Sequence, residues 1–238
     1  MRNEDFALKK KICLYNELAY IMGLVILSLA VSMTAAADFG VSMIVAPAYI
    51  FSQKFSTFTF GQSEYILQAV LFILMCIIMK KVKPIYFMSF VTCVVYGAIL
   101  DGWRTFVPVF NPEITPPGSM GMPLRVIFLI LGMLLTAFSV AILFRTYIYP
   151  QVYDFFVKAV SQVRNVDRTK LKRVFDFACF SLAIIMTLVF FGRLVGVGWG
   201  TVVMTIFNGV LIGKAGDIID RHCEIKALFP MLEEKFEL

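Results

Sequence analysis

Apolar residues dominate this chain in long continuous runs. Six runs stand out, at about 15–37, 60–80, 84–106, 123–145, 173–192 and 196–214. Each supplies roughly the 20 residues that a helix needs to cross ~30 Å of hydrocarbon. The strands of a membrane barrel would instead alternate apolar and polar positions. The pattern predicts an all-α, polytopic helical membrane protein with six transmembrane helices. Residues 1–214 read as a single transmembrane domain, and 215–238 as a short amphipathic cytoplasmic helix broken at Pro230.

Two stretches between the spans fit neither class. Residues 38–59 and 146–168 are too long for tight turns and too apolar for plain solvated loops. Each holds a proline, Pro47 and Pro150, and a short helix-period run. Two readings stay open: a re-entrant half-helix lining a wet cavity, or an amphipathic helix lying flat on the membrane. The basic residues of 146–168 favour the second reading there.

The spans also fall into two similar halves, 15–106 and 123–214. Sliding one over the other by about 109 positions brings Gly23 onto Gly132. Small adjustments bring Gln68 onto Asp176 and Gly97 onto Gly209. Three spans per half give the halves opposite senses across the membrane. That is an inverted repeat, a layout used by many secondary transporters.

Composition agrees with this reading. Hydrophobic residues make up 60% and charged residues 16% of the 238, against about half and a quarter in a soluble domain. The formal charge of +6 does not point to nucleic acid, because the basic residues lie between apolar spans. All of the 22 Lys and Arg except Lys54, Arg104, Arg125 and Arg193 fall in the N-terminal tail, the 80–83 hinge, the 145–173 segment or the C-terminal tail. The positive-inside rule puts those regions, and both termini, in the cytoplasm of a cell membrane. A cleavable signal ending at "AAAD" is the rival for the N-terminus, but its apolar run is too long. The five cysteines form no CxxC and read as small packing residues, and the one histidine, His222, leaves no histidine-based metal site.

Several stretches resemble the YczE/YyaS/YitT family of bacterial inner-membrane proteins. "DFGVS" at Asp38–Ser42 matches the family's acidic-apolar-glycine signature after the first span, with Met43 where a proline is expected. "FTFGQSEYILQAVLFIL" is similar to the family's next helix start, and "FDFACFSLAIIMTLVFFGRLVGVGWGTVVMTIFNGVLIGK" to its last two helices. The likeness covers about 18–214. It implies a membrane protein of obscure, transport-related activity.

Ionisable groups in a span usually face a partner or a wet cavity. The candidate solute- or ion-binding residues are Asp38, Gly40, Glu64, Gln68, Asp176 and Asn208. Gln68, Asp176 and Asn208 would be the deepest members of a cavity between the halves, with Asp38 and Glu64 at its outer mouth. The plainer alternative is structural. Glu64, Asp101, Arg104, Arg145 and Lys172 all lie near span ends, where they can snorkel or pair, Asp101 with Arg104 and Lys172 with Asp176. Asn208 would then bond a neighbouring helix.

Three functions follow from this reading. The first is a small-solute or ion transporter or permease, binding between the inverted repeats. The second is a non-transporting membrane partner, assembly factor or sensor of lipid or lipophilic ligands. An intramembrane enzyme ranks last, for want of a nucleophile-base pair or metal cluster. No catalytic residue, cofactor or metal is assigned. The expected partners are the lipid bilayer and an unknown small solute or ion, and small size favours a homodimer.

Overall fold

The computed structural model describes residues 12–80 and 83–228. Arg2, Lys9, Lys10, Lys11, Lys81, Lys235 and the expected break at Pro230 lie outside the described residues. The chain runs β1 (Ile12–Tyr15), α1 (Asn16–Ala37), α2 (Ala46–Lys54), α3 (Phe60–Met79), a 3-10 turn at Pro84–Tyr86, and α4 (Phe87–Phe106). It continues with α5 (Met122–Leu143), α6 (Val152–Arg164), α7 (Arg168–Phe191), α8 (Trp199–His222) and β2 (Cys223–Lys226). The long helices α1, α3, α4, α5, α7 and α8 account for six segments long and apolar enough to span a membrane. This is a multi-pass membrane protein.

Local chemistry sets the helix ends. Thr59 and Gln62 form a reciprocal capping box that opens α3. Asp167 caps α7 by accepting from the Lys170 N–H at 2.8 Å. The left-handed residues Asp38, Asn165 and Gly192 stop α1, α6 and α7. The outward faces of α3, α7 and α8 remain apolar: Ile77 is 65% exposed, Val189 73% and Ile206 61%. Water would penalise such a surface, whereas lipid accepts it.

Helices α1 and α5 form the centre and run antiparallel. A Cβ on Gly23 would lie 2.8 Å from Leu143, and one on Gly132 would lie 2.6 Å from Thr34, so glycine brings the two backbones close at both crossings. Ser139 donates to the Gly23 carbonyl at 2.6 Å. α4 flanks α1, α8 flanks α5, and α3 packs along α4. α7 and α8 make no comparable contact.

The two short helices are inside the bundle. α2 wedges between α3 and α7, burying Ala46 through Ile50. α6 packs on α3 and α7, burying Tyr153, Phe155, Val157 and Ala159. A flat surface helix would not bury this much of its length, so the interfacial reading favoured for 146–168 gives way to a packed one.

The C-terminal reading also changes. Residues 215–222 continue α8, and 223–226 form a strand beside 12–15. The strands are parallel, with Cys13 opposite Glu224. This ribbon brings the start of the described chain to its end, on one side of an even number of spans.

Candidate functional site

A cavity of about 650 Å³ lies within the bundle, walled by α1, α5, α6, α7, α8 and the turn before α2. It sits where α7 and α8 fail to close on each other. Val31, Val140, Met204 and Ile212 give it an apolar wall, and Arg168, Lys172, Arg173 and Asp176 line it from the first turns of α7.

Both short helices present their N-terminal ends to this space. Ser42 through Val45 line it just before α2, and Gln151, Tyr153 and Asp154 line it at the start of α6. Helix N-termini carry partial positive charge from unpaired N–H groups. In transporter folds, discontinuous helices aimed at a binding space receive anionic groups.

Hydrogen bonds fix how the wall is built. The backbone N–H of Val152 donates to Gln68 Oε1 at 3.0 Å, so the Gln68 amide nitrogen must point the other way. That nitrogen donates to Glu64 Oε2 at 3.0 Å and to Gln151 Oε1 at 3.3 Å. Tyr153 also donates to Glu64 Oε2, at 3.0 Å. With its oxygen so occupied, Gln151 is left with a buried amide nitrogen that has no partner. Thr136 Oγ1 and Asn208 Oδ1 are likewise buried and unpartnered, and all three residues line the cavity. Buried polar atoms are normally satisfied by protein, water or ligand, so three around one space mark a place for polar contacts.

The sequence-expected residues divide into three groups. Asp176 and Asn208 line the cavity. Asp176 Oδ1 lies 3.3 Å from Lys172 Nζ, and Asp154 bonds the same ammonium at 3.0 Å, so the expected Lys172–Asp176 pair is present and has a second acid. Gln68 and Glu64 stand behind the wall. Both are fully buried, which rules out a snorkelling Glu64, and they act on the cavity through Gln151 and Tyr153.

Asp38 and Gly40 belong elsewhere, beside a separate depression shared with the α7–α8 turn. Arg125 donates to the Ala37 carbonyl at 2.8 Å and to the Asp38 carbonyl at 2.9 Å, and lies 4.4 Å from the Phe39 ring. It therefore caps α1. Partial burial pushes the Asp38 carboxyl above its ordinary value, and Arg125 pulls it part of the way back. Gly40, at φ 97°, touches the backbone of Gly198 and the side chain of Thr201, leaving no room for a Cβ. Its signature role is packing: Val41 N–H donates to Gly196 O at 3.0 Å, and Gly200 N–H to Phe39 O at 2.9 Å.

Other charged residues are structural. Asp101 does not pair with Arg104. It accepts from Thr59 Oγ1 at 2.5 Å and Gly61 N–H at 2.8 Å, because the open end of α3 offers it nearer donors. Arg104 lies over the Phe60 ring at 5.2 Å. Arg145 grips Asp220 with two bonds of 2.5 Å, tying α5 to α8.

Residues 14–215 match the profile of a family of unknown function, DUF6198. The chain belongs to DUF6198. The DUF6198 region runs from the end of β1 into α8 and includes every residue lining the cavity. No curated protein and no solved structure matches the chain. Within this DUF6198 member, sequence reasoning passed over Gln151, Thr136 and Arg125. Each is an ordinary polar residue near a helix end or in a span, and only its spatial neighbours single it out.

Proposed function

We propose that this DUF6198 protein is a small secondary transporter or permease with both termini in the cytoplasm, related to the YczE/YyaS/YitT family. It binds a small solute or ion between two inverted three-helix repeats. The observation that carries this reading is the cavity between the halves, lined by the N-terminal ends of both short helices and by unpartnered buried polar atoms.

Reciprocal packing supports the repeat. The Gly23–Leu143 contact becomes the Gly132–Thr34 contact when the halves are exchanged by 109 positions. α2 packs on α7 as α6 packs on α3, and α1 on α4 as α5 on α8. The exchange breaks most clearly at one pair: α3 and α4 are closed, while α7 and α8 are open. Gly97 shows why closure needs small residues, since a Cβ there would lie 3.0 Å from the Gly61 carbonyl and collide with Tyr65. Its counterpart Gly209 faces open space. We read Gly209 as the contact reserved for a second state in which α7 and α8 close and α3 and α4 part.

The test is reconstitution into liposomes with a panel of radiolabelled small solutes and ions. Saturable uptake abolished by Asn208→Leu, with the variant still folded, supports transport. Ligand binding without uptake of any bound species would instead favour the non-transporting reading, a sensor or partner with a lipid-facing cleft. A protein that neither binds nor moves any of them overturns both.

A further inference from the structure

We propose, resting on the same cavity, that its ligand is an amphipathic organic anion, with a carboxylate or phosphate head at the α7 end and an apolar body against α1, α5 and α8. Three independent features point there. First, Arg168 and Arg173 line the cavity, and neither has a carboxylate partner among the described residues. Lys172, between them in sequence, is already held by Asp154 and Asp176. Both arginines are exposed at the rim of the space, Arg168 over the Phe144 ring at 5.9 Å, and neither forms an ion pair among the described residues; a guanidinium fork suits carboxylate and phosphate.

Second, the unpartnered atom on Gln151 is a donor. The bond from Val152 N–H to Gln68 fixes one amide, and that amide fixes the next, so the group left over on cavity-lining Gln151 is its buried amide nitrogen. Gln151 is only 9% exposed and occupies the N-cap of α6. A buried N–H donor at a helix N-terminus suits an anion and repels a cation.

Third, the remaining wall is apolar. Val31, Val140, Met204 and Ile212 offer nothing to a fully hydrated ion. They suit an aliphatic or aromatic body. The space also lies between α7 and α8, whose outer faces are apolar, so a ligand can enter sideways from lipid as well as from water.

The experiment uses the full chain in phosphatidylcholine nanodiscs, with thermal unfolding followed by intrinsic tryptophan fluorescence. The probes are dodecanoate, benzoate, dodecanol and dodecyltrimethylammonium. Dodecanoate should raise the unfolding temperature saturably, while dodecanol and dodecyltrimethylammonium should not. Benzoate matching dodecanoate identifies a water-soluble anion, and benzoate failing identifies a bilayer amphiphile. Arg168→Gln with Arg173→Gln should weaken dodecanoate at least tenfold. Gly209→Leu, which fills the cavity from a position where a Cβ meets nothing, should abolish the shift without lowering the unliganded unfolding temperature.

Equal stabilisation by the neutral or cationic chain overturns the proposal. So does dodecanoate binding that ignores both variants, or no shift with any probe. Flux in liposomes separates this from the transport reading. Saturable cation uptake without anion binding sinks the ligand class and leaves transport, whereas anion binding without flux does the reverse.

Discussion

Gln68 is the residue on which the most buried polar groups depend. Its two ends serve the Val152 N–H, Glu64 and Gln151. Gln68→Leu keeps the volume but strands a backbone donor and weakens the setting of a buried carboxyl. Each orphaned group costs about 1–3 kcal/mol, so the variant should lose roughly 2–5 kcal/mol. Denaturant unfolding in detergent measures this. Asn208→Leu is the contrast: its Oδ1 has no partner to lose, and stability should change by less than about 1 kcal/mol. A comparable loss in both would mean that Asn208 is structural. Asp38 gives a pH test. Its folded-state pKa lies above the ordinary 3.8, first through desolvation, with Arg125 opposing. Its contribution to stability is therefore greatest below about pH 3.8 and is lost as pH rises through the raised folded value. The effect is small, because the side chain is 39% exposed. Asp38→Asn should remove this decline from the acid limb of the melting profile, and an unchanged limb would assign the decline to another group.

At the scale of elements, the glycine pair Gly97 and Gly209 separates a closed helix contact from an open one. Gly97→Ala forces a methyl into Tyr65 and the Gly61 carbonyl, an overpacking that costs about 1–3 kcal/mol. Gly209→Ala meets nothing and gains helix propensity, so it should stabilise this state by up to about 1 kcal/mol. Equal destabilisation would show that α7 and α8 are packed in solution. The long helices were legible in the sequence because bilayer thickness dictates their length, and five of six expected starts fall within three residues of the observed ones. α7 begins earlier, at Arg168, because Asp167 caps it and its basic first turns can reach headgroups. The placement of α2 and α6 was not legible. A short apolar helix with a proline has the same pattern lying on a membrane as wedged in a bundle, and only α3 and α7 around it decide. The site was half legible. Asp176 and Asn208 announced themselves as polar residues in apolar runs, whereas Gln151 depends on a bond to a residue 83 positions away.

For the whole molecule, the charge pattern and the cavity make one joint claim about sidedness. Arg145, Arg168, Lys170, Lys172 and Arg173 belong to the segment that the positive-inside rule assigns to the cytoplasm. The cavity is lined by Arg168, Lys172 and Arg173, so the state described here should open inward. Thr205 lines the cavity on α8 and offers a reporter. With Cys13, Cys76, Cys93, Cys179 and Cys223 replaced by alanine, Thr205→Cys should react with a membrane-impermeant thiol reagent in inside-out vesicles. In right-side-out vesicles the reaction should be much slower. Saturating dodecanoate should slow labelling from the inner face, since it occupies the space the reagent must cross. Labelling faster from the outer face would reverse the orientation. No labelling from either face would mean a dry, closed middle, and the transporter reading would fall with it.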